Sequence, residues 1–280
     1  KRKYWDLRFL PKLTLSENEL KEVVLQDLKD SVKIRLRSDV PLGAHLSGGL
    51  DSSLIVAFMS EELNHPVKTF SVGFEEQGYN ELPFAHLVAQ RYKTDHHELI
   101  VKADAIEELP KMTYYYEEPF ADPSLLPTWL LCKETKKELT VALNGDGGDE
   151  NFGGYQRYVR YKILQYLHCL PFKDIIHKLS YVVPGPLGEK ISRLIFESSL
   201  KKQELYPKLF GCFGESEKNK YYSEVFKHDI SAHNPYLYLD KFISNGYLYS
   251  VDSLISTDIH TYLPEDLLVK IDVAGMAHSL

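Results

Sequence analysis

Two stretches of this chain combine glycine, hydroxyl and carboxylate residues at spacings that suit phosphate chemistry. The first is Ser47-Gly48-Gly49-Leu50-Asp51-Ser52-Ser53. Gly48 and Gly49 allow a backbone to approach phosphate oxygens closely, and Ser47, Ser52 and Ser53 add hydroxyl donors. Asp51 is the odd member, because a carboxylate repels phosphate unless a divalent cation lies between them. Serines, glycines and acid together imply a nucleotide polyphosphate with Mg²⁺. The second stretch is Leu143-Asn144-Gly145-Asp146-Gly147-Gly148-Asp149-Glu150-Asn151-Phe152-Gly153-Gly154-Tyr155. By itself it is explained as a surface turn with solvated acids. Beside the first stretch, it is better explained as a second Mg²⁺ carboxylate and a backbone cradle for the nucleotide.

The elements around these stretches place them together. Pro41–Leu46 is apolar and Leu54–Met59 is an apolar helical run, so the first stretch reads as the turn between a buried strand and a helix N-terminus. That is the positive end of a helix, a ready anion site. Upstream, Ser16 and Glu19 form a capping box ahead of Leu20, Val23, Val24, Leu28 and Val32, a helix that must end before Pro41. Val67–Phe74, His97–Val101 and Leu139–Leu143 read as further strands. Glu81–Tyr92, Ala103–Tyr115 and Pro123–Glu138 read as helices between them. The alternation predicts an α/β fold, a parallel sheet with helices on both faces. Ligands of such sheets sit beyond the carboxyl ends of the strands, where the first loop, Val72-Gly73 and the loop after Leu143 all lie. We expect residues 1–15 to be a linker, 16–155 a sheet domain, and 156–280 a mainly helical extension interrupted by prolines.

Composition narrows the function. The 280 residues are 44% hydrophobic with a net charge of −7, which gives no support for a nucleic-acid surface. Cys132, Cys169 and Cys212 are too few and too scattered for a disulfide framework or zinc site. They read as core fillers in a reducing, cytoplasmic compartment. No apolar run approaches the roughly 20 residues of a membrane span. Lys1 in place of an initiator methionine, and an ending at Leu280 with no stop signal, read as a piece of a longer chain. His96 and His97 with Glu98 suggest a metal, but neighbouring strand residues face opposite ways, so surface polarity is the expectation. Tyr114-Tyr115-Tyr116 reads as packing at a helix end, and Glu117–Ser124 as a stiff acidic turn in which Asp122 or Ser124 caps the next helix.

The first loop lacks the spacing and lysine of a Walker loop. It resembles the SGGxDS loop of the N-type ATP pyrophosphatases, which implies an adenine nucleotide alpha hydrolase-like fold. With FSVGF, EEPFADPSLLPTWLL, LNGDGGDENFGGY and YLPEDLLVKIDVAGMAHSL, the chain resembles the synthetase domain of the glutamine-hydrolysing asparagine synthetase family. That resemblance implies adenylation of the β-carboxylate of aspartate by ATP, release of pyrophosphate, and displacement of AMP by ammonia. It assigns Ser47, Gly48, Gly49, Asp51, Ser52 and Ser53 to the pyrophosphate, and Asp51 and Asp149 to Mg²⁺. His45, Leu46, Val72 and Gly73 would line adenine and ribose through backbone atoms, with Asn144 and Gly145 closing over the nucleotide. Asp146 stands where the family carries a glutamate of the ammonia step, a shorter acid with less reach. Lys270 would support the phosphates, and Val273 stands where the family often holds a second cation. The resemblance further implies a glutaminase domain ahead of residues 1–15 and leaves room for a homodimer. The resemblance also suggests that Asp122 and Ser124 face the acceptor. A related amidotransferase acting on another carboxylate such as a sugar acid, and a nucleotide-binding module without catalysis, remain as alternatives.

Overall fold

The computed structural model describes residues 2–75, 78, 80–171, 185–200, 202–210, 215–230, 237–243 and 251–280. The expected capping box is complete at the start of α1 (Glu17–Arg35). Ser16 Oγ accepts from Glu19 N–H, while Ser16 N–H donates to Glu19 Oε2 at 2.8 Å. This satisfies two of the N–H groups that a helix start leaves without partners.

The sheet consists of β1 (Leu42–His45), β2 (Lys68–Phe74), β3 (Asp95–Val101) and β4 (Val141–Leu143), in the order β3-β2-β1-β4. All three pairings are parallel, with Ala44 opposite Thr69 on one side and Leu143 on the other. The chain leaves β1 for β2 on one side and later returns to β4 on the other. The order therefore reverses between β1 and β4, and the crevice beyond their carboxyl ends is where such sheets bind ligands.

Helices cover the sheet through two cores. The first joins α1, α2 (Leu50–Glu62) and α3 (Leu82–Tyr92) to the strands through Val32, Ala44, Leu46, Val56, Met59, Val67 and Ala85, all buried. The second joins α4 (Leu109–Tyr116), α5 (Leu125–Thr135) and the last helix (Leu268–His278) through Met112, Tyr116, Trp129, Cys132 and Ala274. The segment expected to be helical from Ala103 begins as a 3-10 turn, Ala103–Glu108, before α4.

The described chain forms two compact units, Leu10–Gly148 with Pro264–Leu280, and Lys1–Phe9 with Asp149–Leu263. The last seventeen residues thus belong with the sheet, because Ala274 is fully buried in the core that α4 and α5 share. The other unit is helical: α6 (Gly148–Phe152), α7 (Gln156–His168), α8 (Pro186–Ser198), α9 (Lys202–Leu209), α10 (Glu215–Tyr221), α11 (Glu224–Ile230), α12 (Leu237–Ile243) and α13 (Val251–His260). Its tyrosines have a specific task. Asp258 has no exposed surface, and it accepts from Arg157 at 3.0 Å and from the hydroxyls of Tyr158 and Tyr206 at 2.6 Å each. A buried carboxylate needs such donors to replace water.

Two expectations change. Cys132 is a buried filler, but Cys169 follows the end of α7 and is exposed; Cys212 lies outside the described residues. His96 is not surface polarity, since its side chain is 9% exposed and its Nδ1 lies 2.9 Å from Thr69 Oγ1. His97 does face the other way, stacked on Phe70 with centroids 4.7 Å apart. Asp95, His97 and Glu138 bring potential ligand atoms within 4.8 Å of one another. Lys68 donates to Glu138 there and lies 3.7 Å from Asp95, so the cluster already holds a cation. No helix among the described residues is long and apolar enough to cross a membrane.

Candidate active site

The first loop leaves β1 and enters α2 with the geometry its glycines require. Gly48 has φ +83, in the left-handed region, and a Cβ there would lie 2.4 Å from Ala85 N at the start of α3. Both the backbone angle and the close approach demand glycine. Gly49 is the residue before α2 and carries no side-chain cap. The capping position of this 13-residue helix therefore supplies no side-chain acceptor at the positive helix start, which suits an anionic ligand.

The hydroxyls brace the loop from within. Ser47 Oγ lies 3.0 Å from Ser52 Oγ and accepts from Gly49 N–H at 3.2 Å. Ser53 Oγ donates to Gly49 O at 2.6 Å, and Ser52 Oγ accepts from Ser47 N–H at 3.2 Å. A phosphate entering here meets preorganised hydroxyls, and it must compete with Gly49 O for their protons.

The loop after β4 lies directly on this one. A Cβ on Gly145 would fall 2.9 Å from Ser52 N and 3.0 Å from Asp51 Cβ, and one on Gly148 would fall 2.5 Å from Asp51 Oδ2. The Asp51 carboxylate thus sits in the crevice between the ends of β1 and β4. Asn144 and Asp146 bond each other across the same loop, Nδ2 to Oδ2 at 3.0 Å and N to Oδ1 at 3.2 Å. Carboxylate oxygen beside an uncapped helix start is a donor set that fits Mg²⁺ carried by a polyphosphate. Asp149 belongs to the helical unit, where its carbonyl accepts from Gly154 N–H at 3.0 Å.

The ends of β1 and β2 are tied into the sheet unit by the following contacts. His45 Nε2 lies 3.1 Å from Thr135 Oγ1. Burial pushes the imidazole down to about 4, so it is neutral at pH 7. Leu46 O accepts from Ser71 Oγ, and Leu46 N–H donates to Phe70 O at 2.9 Å. Val72 is half-buried, and Gly73 lies against Leu82 and Asn80.

Lys270 is buried in the sheet unit and has two partners that the sequence did not disclose. Its Nζ lies 2.7 Å from Asp122 Oδ2 and 2.7 Å from Ser124 Oγ. Asp122 Oδ1 accepts from both the N–H and the hydroxyl of Ser124 at 2.7 Å. Tyr116 fixes the lysine backbone by donating to Lys270 O at 2.6 Å. Burial works to raise the Asp122 carboxyl, but the Lys270 and Ser124 hydrogen bonds outweigh it and leave the group below its ordinary range. Asp146 and Asp266 also feel Lys270. Burial raises both carboxyls, the Lys270 charge lowers them, and Asp122 raises them again. Asp122, Ser124 and Asp266 are thus brought into the company of Lys270 and Asp146. No spacing rule connects positions so far apart in sequence.

Comparison with known proteins shows the family. The family model described as "Asparagine synthase" matches residues 23–280. The chain is 35% identical to asparagine synthetase [glutamine-hydrolyzing] 1 of Bacillus subtilis, over 99% of this chain and 43% of that protein. It is 43% identical to the putative asparagine synthetase [glutamine-hydrolyzing] 2 of Methanocaldococcus jannaschii, over 60% of this chain and 33% of that protein. It is also 30% identical to amidase chry2 of Gibberella zeae, over 55% of this chain and 26% of that protein. The chain spans less than half the length of these relatives. With a family model covering the sheet, both glycine-rich loops and the Lys270 helix, the chain belongs to the asparagine synthase family.

Proposed function

We propose that this chain is the ATP-dependent amide-forming part of a glutamine-hydrolysing asparagine synthetase. The observation that carries the reading is the seating of the Gly145–Gly148 loop on Asp51 and Ser52, beside the uncapped start of α2. ATP binds with its phosphates at Ser47–Ser53, its base and ribose against the backbone of His45, Leu46, Val72 and Gly73, and Asn144 and Gly145 above it. Asp51 and Asp149 are the carboxylates that would hold Mg²⁺, and the ion would screen the phosphates and stabilise the leaving pyrophosphate.

The acceptor carboxylate attacks the α-phosphorus, the bond to the β-phosphate oxygen breaks, and an acyl adenylate and pyrophosphate result. Ammonia then attacks the acyl carbon, loses a proton, and expels AMP. Lys270 supplies positive charge in a buried setting, where electrostatic stabilisation is strongest. In this reading Asp146, whose carboxyl burial raises, accepts the proton from the attacking nitrogen. Aspartate is the acceptor that the family and most of the matched names favour. A different carboxylate acceptor is favoured by one feature, Asp146 in place of the family glutamate, and by the likeness to an amidase. A glutaminase domain in the full-length protein supplies the ammonia, and the site is cytoplasmic.

The deciding experiment is pyrophosphate release from ATP with ammonia and a panel of carboxylates. Aspartate-dependent release with asparagine formed is the expected result. Release with a different carboxylate alone reassigns the acceptor, and no release with any would sink the amide-forming reading.

A further inference from the structure

The turn that follows Asp149 is built around the space a missing side chain leaves. A Cβ on Gly154 would fall 1.9 Å from Asp149 Oδ1, 3.0 Å from Cγ and 3.3 Å from Cα. The carboxylate in its present position and any side chain at 154 exclude each other. Two bonds keep this slot closed. Gly154 N–H donates to Asp149 O at 3.0 Å, and Tyr155 Oη donates to Glu150 Oε1 at 2.6 Å. Glu150 has no exposed surface, so that second bond is shielded from water. Gly153, at φ +69, turns the chain back between them, and a Cβ there would meet only Ile255 and Tyr158, each at 3.8 Å.

We propose that Gly154 is a positioning residue for a Mg²⁺-binding carboxylate. Its bare Cα leaves the slot in which Asp149 Oδ1 is held, and the Glu150–Tyr155 bond keeps the slot in place. The proposal rests on the reading of Asp149 as a metal ligand. It has a distinctive consequence, because the nearest conflict in Gly154→Ala is with the free end of a side chain. An aspartate carboxylate swings aside by a χ rotation at small cost. Folding is therefore largely kept, while the direction in which the carboxylate faces the metal is lost. Gly153→Ala is the opposite case. It strains a left-handed backbone and lowers stability, but it displaces no carboxylate.

The test is calorimetric titration of ATP across a range of Mg²⁺ concentrations, and again in EDTA, with thermal unfolding of each free protein. The variants are Asp149→Asn, Gly154→Ala and Gly153→Ala. We expect Asp149→Asn and Gly154→Ala each to raise the Mg²⁺ needed for half-maximal ATP binding by about 10- to 100-fold, the scale seen when the support of a metal ligand is removed. ATP affinity in EDTA should stay near that of the parent for both, and Gly153→Ala should lower the unfolding temperature while leaving the Mg²⁺ dependence unchanged. If Asp149→Asn leaves that dependence unchanged, Asp149 is not a ligand and the underlying reading falls. If Asp149→Asn shifts it and Gly154→Ala does not, only the positioning role is overturned. Equal effects of Gly154→Ala and Gly153→Ala, or a Gly154→Ala protein that does not fold, overturn it as well, since either places the conflict in the backbone.

Discussion

Lys270 Nζ and Asp122 Oδ2 stand 2.7 Å apart with both side chains about nine-tenths buried, at 9% and 11% exposure. A charge in such a setting is tolerable only while its partner is present. Asp122→Ala should therefore lower stability by roughly 3–5 kcal/mol, the scale of one partner lost from a buried pair. The Asp122 carboxyl lies below its ordinary range in the folded protein, so its contribution is present at neutral pH and fades as pH falls through that lowered value. Denaturant titrations at pH 7 and in acid check both statements. A loss under 1 kcal/mol at pH 7 would mean that water reaches the lysine freely.

The same pair sets what Lys270 can do for chemistry. Asp122 and Ser124 occupy two of its three protons, and Tyr116 anchors its backbone, so the ammonium is held in one place. A cation fixed in advance stabilises developing charge without reorganising. Lys270→Ala should lower pyrophosphate release by about 10²-fold or more, the scale of a lost electrostatic stabiliser. ATP affinity should change far less, because lost transition-state binding appears in kcat rather than in KM alone. Near-normal turnover in a folded Lys270→Ala protein would remove the residue from the reaction.

His45 makes the fold sensitive to mild acid. Its ordinary value of 6.5 is pushed down to about 4 by burial beneath the first loop. Between those values the unfolded chain takes up a proton that the folded chain refuses, so falling pH favours unfolding. A displacement of that size corresponds to roughly 3 kcal/mol. His45→Gln retains an amide that can bond Thr135, and it should flatten the stability profile between pH 6.5 and 4. The check is Tm against pH for both proteins, and superimposable profiles would exclude His45 as the cause.

Local signals carried much of the architecture, and long-range ones did not. The capping box at Ser16 and Glu19, the strand before Ser47 and the turn at Gly48 each depend on neighbours a few residues away. They were legible from spacing and residue type. The α/β alternation likewise fixed the parallel sheet, since crossover helices leave few other arrangements. What spacing cannot convey is which distant side chain fills a buried place. Asp122 looked like part of a stiff turn, and it does bond Ser124, but its other oxygen serves a lysine 148 positions away. Period-two alternation put His96 and His97 on opposite faces correctly. It did not reveal that the Thr69 hydroxyl would draw His96 under cover. Residues 264–280 read as an end of the helical extension, yet Ala274 completes a core whose other members lie between Met112 and Cys132.

The seating of one loop on the other should be sensitive to a single methyl group. At Gly145 the nearest atoms are Ser52 N at 2.9 Å and Asp51 Cβ at 3.0 Å, with Asp51 C at 3.3 Å. Two of these are backbone, so Gly145→Ala cannot be relieved by a side-chain rotation and must separate the loops by a few tenths of an ångström. ATP should bind more weakly both with and without Mg²⁺, unlike the metal-selective loss expected for Asp51→Ala. Calorimetry with ATP in Mg²⁺ and in EDTA distinguishes the two variants. Unchanged ATP affinity in Gly145→Ala would mean that the nucleotide does not touch this junction.

The nitrogen donor is decided by thiol chemistry. Releasing ammonia from glutamine by nucleophilic attack calls for a thiolate, which needs a cation, a helix start or a base to form at neutral pH. Cys132 has the reverse setting. It has no exposed surface, and burial pushes its thiol up to about 12 with the Asp146 charge adding to the effect. Cys169 is exposed and follows the C-terminal end of α7 rather than a helix start. Among the described cysteines, neither sits in such a setting. We expect residues 1–280 by themselves to form amide from free ammonia and not from glutamine, and Cys132→Ser to keep the ammonia-dependent rate within about two-fold, as expected of a small buried filler. The measurement is AMP and amide formation with ATP, acceptor and either donor. Glutamine-supported synthesis by this chain, free of contaminating glutaminase and lost in Cys132→Ser, would overturn the assignment of that cysteine to packing.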